Sequence, residues 1–427
     1  MSSAVAARVL LTVTGRDHGG ITAELTGVLM ASDTELLDVE QVVVQGQLTL
    51  CLLVALPAAR RDRTLAAVRA ACARLGQDLT VRDLPTPGDA VAGDGDGDGP
   101  GVVQLAVTVF GDRLDAGGLH RVARVLVGHG ANIERVHRLS DSDLSALELI
   151  VSLPDAPGGA AAAAAAVDGD VAGAALDARL RDLRRHLLAE AGDVDIAVQR
   201  ESLSRRAKRL VVMDMDSTLI QLEVIDELAR RHGVGAEVAA ITERAMQGEL
   251  DFEASLRARV GLLAGLEVRH LDEVAASLPL TDGAETLVRV LSRLSYRTAV
   301  ISGGFQFAAV ALKQRLGLDY AYANTLERAG GRLTGRVLEP IVTPQRKADL
   351  LDMIAQGERC DLDQTIAIGD GANDLAMLQR AGLGIAFHAK PKLTAAADTA
   401  ISHGSLARVL YLLGLRARDV AELLRLG

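Results

Sequence analysis

The sequence has no tryptophan, and its 427 residues include only five phenylalanines and four tyrosines. Hydrophobic residues still make up 49% of the chain, so aliphatic side chains must form its cores, and these are sufficient for globular domains. Because domains usually contain about 100–200 residues, a chain of this length predicts two to four of them. The length therefore argues against a single hydrophobic core.

Cysteine and long apolar runs are also scarce. The three cysteines, Cys51, Cys72 and Cys360, include no Cys-x-x-Cys pair, which argues against a disulfide framework and against a cysteine-based zinc site. The N-terminus lacks a basic segment followed by an apolar run, and no stretch of about 18 uncharged apolar residues follows it. These absences predict a soluble, cytoplasmic protein that makes no membrane contact.

The charge of the chain is unfavourable for binding nucleic acid. Its formal net charge of -10 repels a polyanion, and no dense stripe of Lys and Arg with interleaved aromatics opposes that charge locally. One basic cluster (Arg205, Arg206, Lys208 and Arg209) precedes an apolar segment, and we predict that it is a solvated linker without a function of its own. Nucleic acid is therefore not expected as a partner.

The N-terminal half contains two diverged copies of one pattern. Each copy begins with an apolar strand ending in glycine and continues with a glycine pair, a helix, two strands, a second helix and a short strand. This βαββαβ order, found twice, is that of an α+β ferredoxin-like sandwich. We place the two domains at 8–84 and 102–198, joined by a linker rich in Pro, Gly and Asp at 85–101.

From about residue 205 the pattern changes to short apolar strands that alternate with helices. That alternation is typical of an α/β fold with a parallel, Rossmann-like sheet. Residues 221–280 are helical in pattern and predict a small helical cap over the sheet, within a domain at 205–427. The predicted strands lie at 210–213, 298–301, 365–368 and 384–387.

Two carboxylates follow the first of these strands. Asp214 and Asp216 come directly after it, and open parallel sheets bind ligands at the carboxyl ends of their strands. Residues two apart on a strand face the same side. A helix N-cap would explain one such aspartate but not the other, so we interpret the pair as functional.

Later segments carry further polar groups. The second strand ends in Ser-Gly-Gly at Ser302, which predicts a turn whose hydroxyl and backbone N–H groups hold phosphate oxygens. The third ends in Gly-Asp-Gly-Ala-Asn-Asp at 369–374, a sequence suited to a hard cation and a close phosphate. Lys347 lies on a predicted helix. Taken singly, an exposed lysine and simple turns would explain these signals.

Their order carries more information than any one of them. Asp-x-Asp-Ser-Thr, Ser-Gly-Gly, Lys and Gly-Asp-Gly-x-Asn-Asp follow one another as in the haloacid dehalogenase superfamily, which residues 208–427 resemble without departing from any motif. The resemblance implies a phosphatase that acts through an aspartyl-phosphate. Asp214 would be the nucleophile. Asp216 would protonate the leaving group and then deprotonate the attacking water.

The resemblance also implies a magnesium ion and a phosphate site. Mg²⁺ would be held by Asp214, by the backbone carbonyl of Asp216 and by Asp370, with Asp374 supporting these ligands. The positive charge lets an anionic nucleophile approach an anionic phosphate. The residues expected to bind the phosphate are Ser302, Gly303, Lys347 and Asn373.

The predicted cap indicates which substrate the enzyme acts on, again by resemblance. The Asp-x-Asp-Ser-Thr sequence and the small cap resemble the phosphoserine phosphatase branch of the superfamily. Glu223 matches that branch's acidic residue for the substrate ammonium, Arg259 its ligand for the carboxylate, and Met246 and Phe252 its apolar walls. Any one of them could be an ordinary helix charge or core residue. Together they imply hydrolysis of O-phospho-L-serine to L-serine, the last step of serine biosynthesis.

The N-terminal repeats resemble a second family. The Gly-Arg-Asp-His-Gly-Gly sequence at 15–20 resembles the ligand loop of ACT domains, which bind amino acids and regulate attached enzymes. The resemblance implies serine or another amino acid as effector and a homo-oligomer formed by pairing of these domains. The repeats could instead only dimerise the enzyme. The candidate effector residues are Asp17, Gly19, Gly111 and Asp112.

Two other functions stay open at this point. A phosphatase or phosphomutase acting on another small ester would share every core motif and differ only in the cap. The chain could also be an amino-acid-binding regulatory protein whose phosphatase half is a vestigial scaffold. The intact Asp214, Asp216, Lys347 and Asp370 argue against that second alternative.

Overall fold

The computed structural model describes residues 7–85, 102–141, 145–154 and 169–425. The chain forms two compact units, 1–96 and 97–427. The predicted linker at 85–101 lies outside the described residues, apart from Pro85.

The first unit has the βαββαβ order expected of it. Its elements are β1 (Ala7–Arg16), α1 (Ile21–Ala31), β2 (Glu35–Val44), β3 (Gln47–Leu56), a short 3-10 helix (Ala58–Arg60), α2 (Arg61–Arg74) and β4 (Gln77–Leu84). The antiparallel sheet has the order β2-β3-β1-β4. Helix α1 buries Ile21, Leu25 and Leu29, which are spaced so that they share one helix face.

The second unit begins with another copy of this sandwich. Its elements are β5 (Val102–Phe110), α3 (Ala116–Gly128), β6 (Asn132–Arg138), β7 (Ala146–Pro154), α4 (Gly169–Glu190) and β8 (Asp195–Arg200). The sheet order is β6-β7-β5-β8, which is equivalent to that of the first copy. From Leu105 to Phe110, β5 is buried on both faces. Phe110, Ala146 and Ala197 belong to a core shared with the following domain.

That following domain has a seven-stranded sheet with the order β12-β11-β10-β9-β13-β14-β15. Its strands are β9 (Leu210–Met213), β10 (Arg297–Phe305), β11 (Tyr320–Ala329), β12 (Arg332–Leu338), β13 (Thr365–Gly369), β14 (Gly384–Phe387) and β15 (Thr399–Ile401). All pair in parallel except β11 with β12. The predicted fold class, a Rossmann-like parallel sheet after two ferredoxin-like domains, is confirmed.

A helical insert separates β9 from β10, as the sequence predicts. The helices of the insert are α6 (Val224–His232), α7 (Gly235–Met246), α8 (Phe252–Gly261) and α9 (Arg269–Ala276), after a short α5 (Leu203–Arg206) that precedes β9. The remaining helices are α10 (Ala284–Arg293), α11 (Gln306–Leu316), α12 (Pro344–Gly357), α13 (Leu375–Arg380), α14 (Pro391–Thr394), α15 (Val409–Leu412) and α16 (Ala417–Arg425), with 3-10 turns at Leu362–Gln364, Ala372–Asp374 and Leu406–Arg408. In the described parts of the chain, no helix has the length and apolar character that crossing a membrane requires.

Two local expectations are wrong. The Ser-Gly-Gly sequence at Ser302 is not a turn, because β10 continues through it to Phe305 with an irregular register. The basic cluster is not a solvated linker either. Arg205 forms ion pairs with Glu148 and Glu201, and Lys208 is buried and hydrogen-bonds to backbone carbonyls. The order of charges along the segment could not show that Arg205 pairs with the second sandwich and that Lys208 is buried against the catalytic domain.

Candidate active site

Three neighbouring strands bring the polar motifs to one edge of the catalytic sheet. The strand order places β9 between β10 and β13, and all three are parallel. Asp214 follows β9, Ser302 lies in β10 and Asp370 follows β13. These residues therefore share the carboxyl edge of the sheet, which is where open parallel sheets bind ligands.

Lys347 is completely buried at this edge. Helix α12 begins with Thr343 as its N-cap, whose side chain accepts a hydrogen bond from the backbone N–H of Arg346. The Lys347 ammonium lies 2.6 Å from Asp374 Oδ1 and 2.9 Å from Asp214 Oδ1. Burial alone would lower the pKa of this lysine, but the two carboxylates outweigh burial and raise it. Lys347 is therefore a fixed positive charge inside the site.

Asp214, Asp370 and Asp374 form a compact carboxylate cluster. One oxygen of each lies within 4.8 Å of the others. Burial, and after it the charge of Asp214, raises the pKa of Asp370 to about 7, and the same two causes raise the pKa of Asp374. Lys347 compensates only part of this negative charge. Three closely spaced carboxylates whose negative charge is only partly compensated fit the oxygen-ligand preference of a hard divalent cation.

Asp216 lies in surroundings that favour the protonated form of its carboxyl group. Among the residues that the structure describes, none donates a hydrogen bond to its buried Oδ1. Burial, followed by the charges of Glu223 and Asp214, raises the pKa of Asp216 well above its ordinary value. A carboxyl group that stays protonated in this way can give a proton to a reacting group.

Gly304 allows the β10 segment to approach Asp216. A Cβ atom at position 304 would lie 2.6 Å from Asp216 Oδ2 and 2.7 Å from Met215 Cε, so a larger residue would displace the carboxyl group. The backbone N–H of Gly304 donates to Ser302 Oγ at 2.9 Å. The glycine and serine of this segment thus line the space beside Asp216.

Glu223 contributes a negative charge from the cap. It is the N-terminal flanking residue of α6 and accepts a hydrogen bond from Ser217 Oγ at 2.9 Å. Ser217 itself has a left-handed backbone conformation, with a φ of 57°. Glu223 is exposed, yet the protein around its carboxylate raises its pKa, first by desolvation and also through Asp214.

Arg259 contributes a positive charge from α8. Its Nε donates only a long bond of 3.4 Å to the backbone carbonyl of Ser255. Burial lowers the pKa of the guanidinium, while the charges of Asp226, then Glu223 and Asp216, act on it in the opposite direction. Within the described ranges no carboxylate forms an ion pair with Arg259, so its charge is available to a ligand.

The other predicted site residues occupy different positions. Phe252 lies against the β10 segment, because a Cβ at Gly303 would be 2.8 Å from the ring. Asn373 is half-buried in the turn after Asp370. Met246, at the end of α7, is 69% exposed, so this structure does not bring it into the wall of a closed pocket.

Two further residues support the site and were missed from the sequence. Asn324, fully buried in β11, donates to the Gly303 carbonyl at 2.8 Å and accepts from the Val342 N–H at 2.7 Å. Thr218 Oγ1 donates to Asp370 Oδ1 at 3.3 Å. Thr218 could have been found as part of the Asp-x-Asp-Ser-Thr sequence, whereas a single asparagine in an unrecognised strand gives no specific signal.

The four candidate effector residues are distributed over both compact units. Asp17 and Gly19 lie in the first unit, where the Asp17 N–H donates to the Gly46 carbonyl. Gly111 and Asp112 follow β5 in the second unit. Asp112 forms an ion pair of 2.7 Å with Arg408, from the C-terminal part of the catalytic domain. This loop of the second sandwich is therefore in direct contact with the catalytic domain.

Known proteins share this organisation. The sequence model of the haloacid dehalogenase-like hydrolase family matches residues 211–379, and ACT domain models match 7–82 and 104–199. The phosphoserine phosphatase of Streptomyces coelicolor is 43% identical over 96% of this chain and 93% of its own length. Phosphoserine phosphatase SerB2 of Mycobacterium tuberculosis is 42% identical over 96% and 94%, respectively.

A solved structure is also similar to this chain in three dimensions. The crystal structure of a probable phosphoserine phosphatase from Vibrio cholerae is 35% identical, with a TM-score of 0.52, and the match covers 75% of this chain and 89% of that one. The full-length relatives and the buried lysine among carboxylates point to the same conclusion. The chain belongs to the phosphoserine phosphatase family, with a haloacid dehalogenase-like hydrolase domain after two ACT domains.

Proposed function

We propose that the chain hydrolyses O-phospho-L-serine to L-serine and phosphate, the last step of serine biosynthesis, through an aspartyl-phosphate. One observation carries the proposal. The carboxylate and lysine cluster at the sheet edge lies next to two cap residues of opposite charge, Glu223 and Arg259, which act electrostatically on Asp214 and Asp216. A substrate with a phosphate, an ammonium and a carboxylate complements all of these charges.

In the first step Asp214 is the nucleophile. A bond forms between its carboxylate oxygen and phosphorus while the bond from phosphorus to the serine oxygen breaks, leaving an aspartyl-phosphate. The serine oxygen takes the proton of Asp216, whose raised pKa keeps that proton in place until it is needed. Splitting one hard displacement in two lowers each barrier.

In the second step Asp216 acts as a base. It takes a proton from a water molecule, whose oxygen attacks phosphorus and displaces the Asp214 carboxylate, so that phosphate leaves and both aspartates return to their starting states. Throughout, Lys347 stays ionised and holds Asp214 at 2.9 Å. Ser302, Gly303 and Asn373 are the residues we assign to the phosphate oxygens.

A magnesium ion fits the carboxylate cluster, because Asp214, Asp370 and Asp374 present oxygens within 4.8 Å of one another with too little compensating charge. Asp214, Asp370 and the Asp216 carbonyl would hold it, with Asp374 in support. When bound, Mg²⁺ supplies positive charge that favours approach of an anionic phosphate. Asp374 also accepts from Lys347 at 2.6 Å and from the Gly371 N–H at 3.0 Å, which fixes its orientation.

Replacing Arg259 by alanine should impair turnover of phosphoserine far more than turnover of p-nitrophenyl phosphate. Only phosphoserine has a carboxylate for the guanidinium to bind, and hydrogen bonds to charged groups contribute about 1.5–3 kcal/mol. We therefore expect kcat/KM for phosphoserine to fall roughly 10- to 150-fold. Phosphate release from both substrates, together with glycerol and sugar phosphates, is the measurement.

Arg257→Ala is the matched control for that experiment. Arg257 lies on the same helix, α8, but its side chain is exposed and pairs with Glu253. It should leave the preference for phosphoserine unchanged. Glu223→Gln should behave like Arg259→Ala, since it removes the charge that meets the ammonium. Equal losses on both substrates would contradict the substrate assignment, as would faster turnover of another ester by the unmodified protein.

We further propose that serine or another amino acid regulates the enzyme through the ACT domains. The second ACT domain is well connected to the catalytic domain. Arg184 pairs with Asp398 at 2.8 Å, and Asp195 accepts from the Ser402 N–H at 2.9 Å. A ligand that favours one arrangement of the ACT domains can change the activity through such contacts, with couplings of about 1–3 kcal/mol.

Oligomer formation through the ACT domains is part of the same proposal. The edge strand β2 is exposed along its whole length, Glu35–Val44. It carries apolar side chains that a partner strand would cover. These are Leu36, Leu37, Val39, Val42, Val43 and Val44, each at least 41% exposed.

The location of the protein in the cytoplasm also stays a prediction.

Millimolar serine should inhibit the wild-type chain, and Asp17→Ala should weaken that inhibition roughly 5- to 150-fold because it removes a proposed partner of the effector ammonium. Asp78→Ala, an exposed aspartate of the same ACT domain, is the control and should respond like wild type. Turnover at varied concentrations of serine, glycine and other amino acids is the measurement. No response to any of them would leave the ACT domains with an oligomerising role only.

A further inference from the structure

A second cluster of metal-binding side chains lies outside the active site, on the helical face of the second ACT domain. His129 is the C-terminal flanking residue of α3, and Asp182 and His186 lie on α4. One potential ligand atom of each falls within 4.8 Å of the others. The proposed catalysis does not use these side chains, and neither the family assignment nor the effector proposal gives them a role.

The spacing of Asp182 and His186 on α4 would allow both side chains to bind the same metal ion. Residues four apart lie on the same face of a helix, and pairs of ligands at this spacing bind zinc in other proteins. Asp182 Oδ2 is 3.7 Å from His186 Nδ1. The other oxygen, Oδ1, pairs with Arg185. The pairing with Arg185 therefore orients the carboxylate and leaves Oδ2 facing the histidine.

His129 completes the arrangement from α3. Its Nε2 lies 2.8 Å from His186 Nδ1, and the two rings are tilted by 53° with centroids 5.0 Å apart. Two nitrogens bonded to one tetrahedral ion at 2.0–2.1 Å would stand about 3.3 Å apart. The His186 ring is exposed, so solvent leaves space for the ring to turn and widen the separation.

We propose that His129, Asp182 and His186 form a binding site for a transition-metal ion of the zinc class, which links α3 to α4 in the second ACT domain. Two imidazoles and one carboxylate are typical zinc ligands, whereas Mg²⁺ and Ca²⁺ prefer oxygen alone. Half of the His186 side chain is exposed, at 53%. Solvent therefore has access to the ion and can supply a fourth ligand.

The neighbouring contacts show that the two helices are already held in the required arrangement. Arg124 of α3 pairs with Glu190 of α4 at 2.9 Å, and Arg121 Nε donates to the Glu190 carbonyl at 3.1 Å. Binding therefore does not require the helices to come together first. Because α4 also carries Arg184, which pairs with Asp398 of the catalytic domain, the ion would bind next to an existing connection between the two domains.

Equilibrium dialysis of the full chain against micromolar Zn²⁺ tests the proposal, with millimolar Mg²⁺ present to occupy the oxygen-only cluster. We expect one zinc per chain in the wild type, lost in His129→Gln and in His186→Gln. His120→Gln is the matched control, because His120 is an exposed histidine of α3 outside the cluster, and it should keep the zinc. Circular dichroism checks that each variant is folded.

The Asp370→Asn variant shows whether the zinc is bound at the histidine cluster or in the active site. This variant should also keep the zinc. A second readout is the visible absorption of bound Co²⁺, whose intensity reports tetrahedral nitrogen and oxygen ligands; it should disappear with either histidine. The proposal is overturned if the wild type binds no zinc under these conditions. It is equally overturned if the zinc is lost in Asp370→Asn but retained in the two histidine variants.

Discussion

Replacing Asp214 by asparagine should abolish detectable phosphate release from O-phosphoserine. The variant keeps the shape of the side chain but removes the charge that attacks phosphorus, so no aspartyl-phosphate forms. Loss of the nucleophile in another covalent enzyme costs roughly 10⁶-fold in kcat. The fold should survive, because Lys347 retains Asp374 as a partner at 2.6 Å.

The matched control is Asp272→Asn, which changes an exposed aspartate of α9 and should leave turnover unchanged. Radiolabelled phosphate from the substrate should be recovered on acid-quenched wild-type protein and not on Asp214→Asn. Folded Asp214→Asn protein that keeps about a tenth of wild-type turnover would refute the covalent mechanism. Label bound to that variant would refute the choice of nucleophile.

The meeting of Asp214 and Asp370 at one edge of the sheet was predictable, because it follows from strand geometry. A short apolar run ending in Asp214 or Asp370 places the carboxylate at the carboxyl edge of a parallel sheet, whatever the rest of the chain does. Neighbouring strands then bring the two residues together, although 156 positions separate them in the sequence. Residues whose roles depend on one strand end can therefore be found from local pattern and order.

Other features depend on contacts that local pattern does not contain. The hairpin of β11 and β12 was not predicted, and with it the role of Asn324 was missed. The shared core of the second ACT domain and the catalytic domain was not predicted either. It contains Phe110 and Ala197, which look in the sequence like the ordinary interior of one small domain. The burial of the Arg205 side chain could not be predicted for the same reason, because its partner Glu148 lies 57 positions away in the sequence.

This shared core has a consequence for experiments on regulation. Removing the first 96 residues deletes a compact unit. Removing the second ACT domain as well would expose Phe110's contacts in the catalytic core and leave Arg184's partner, Asp398, unpaired. Loss of activity in the shorter chain would then reflect instability and not loss of regulation. Point substitutions in the full chain, such as Asp17→Ala, avoid this ambiguity.

Replacing Lys347 by methionine should abolish turnover and also destabilise the protein, unlike the change at Asp214. The side chain is fully buried between two carboxylates, and removing one member of a buried ion pair leaves uncompensated charge that costs about 3–5 kcal/mol. Methionine has a similar length, so little of this loss should come from packing. The measurement is the free energy of unfolding in denaturant, in the presence of EDTA, together with phosphate release. Lys392→Met, at an exposed position of α14, is the control.

The pH dependence separates this electrostatic cause from a packing defect. The pKa of Asp370 is raised to about 7 in the folded chain from an ordinary value of 3.8, and that of Asp374 is also raised. Such groups contribute stability that is fully present below the unfolded pKa and is lost as the pH rises through the folded one. The charge of Lys347 opposes both shifts. Without it, the folded-state pKa values of Asp370 and Asp374 rise further, and the stability lost as the pH rises becomes larger. The metal-free variant should therefore approach wild-type stability near about pH 5 and fall furthest below it near about pH 8. A deficit of equal size at both pH values would mean that Lys347 stabilises the protein by packing and not by its charge.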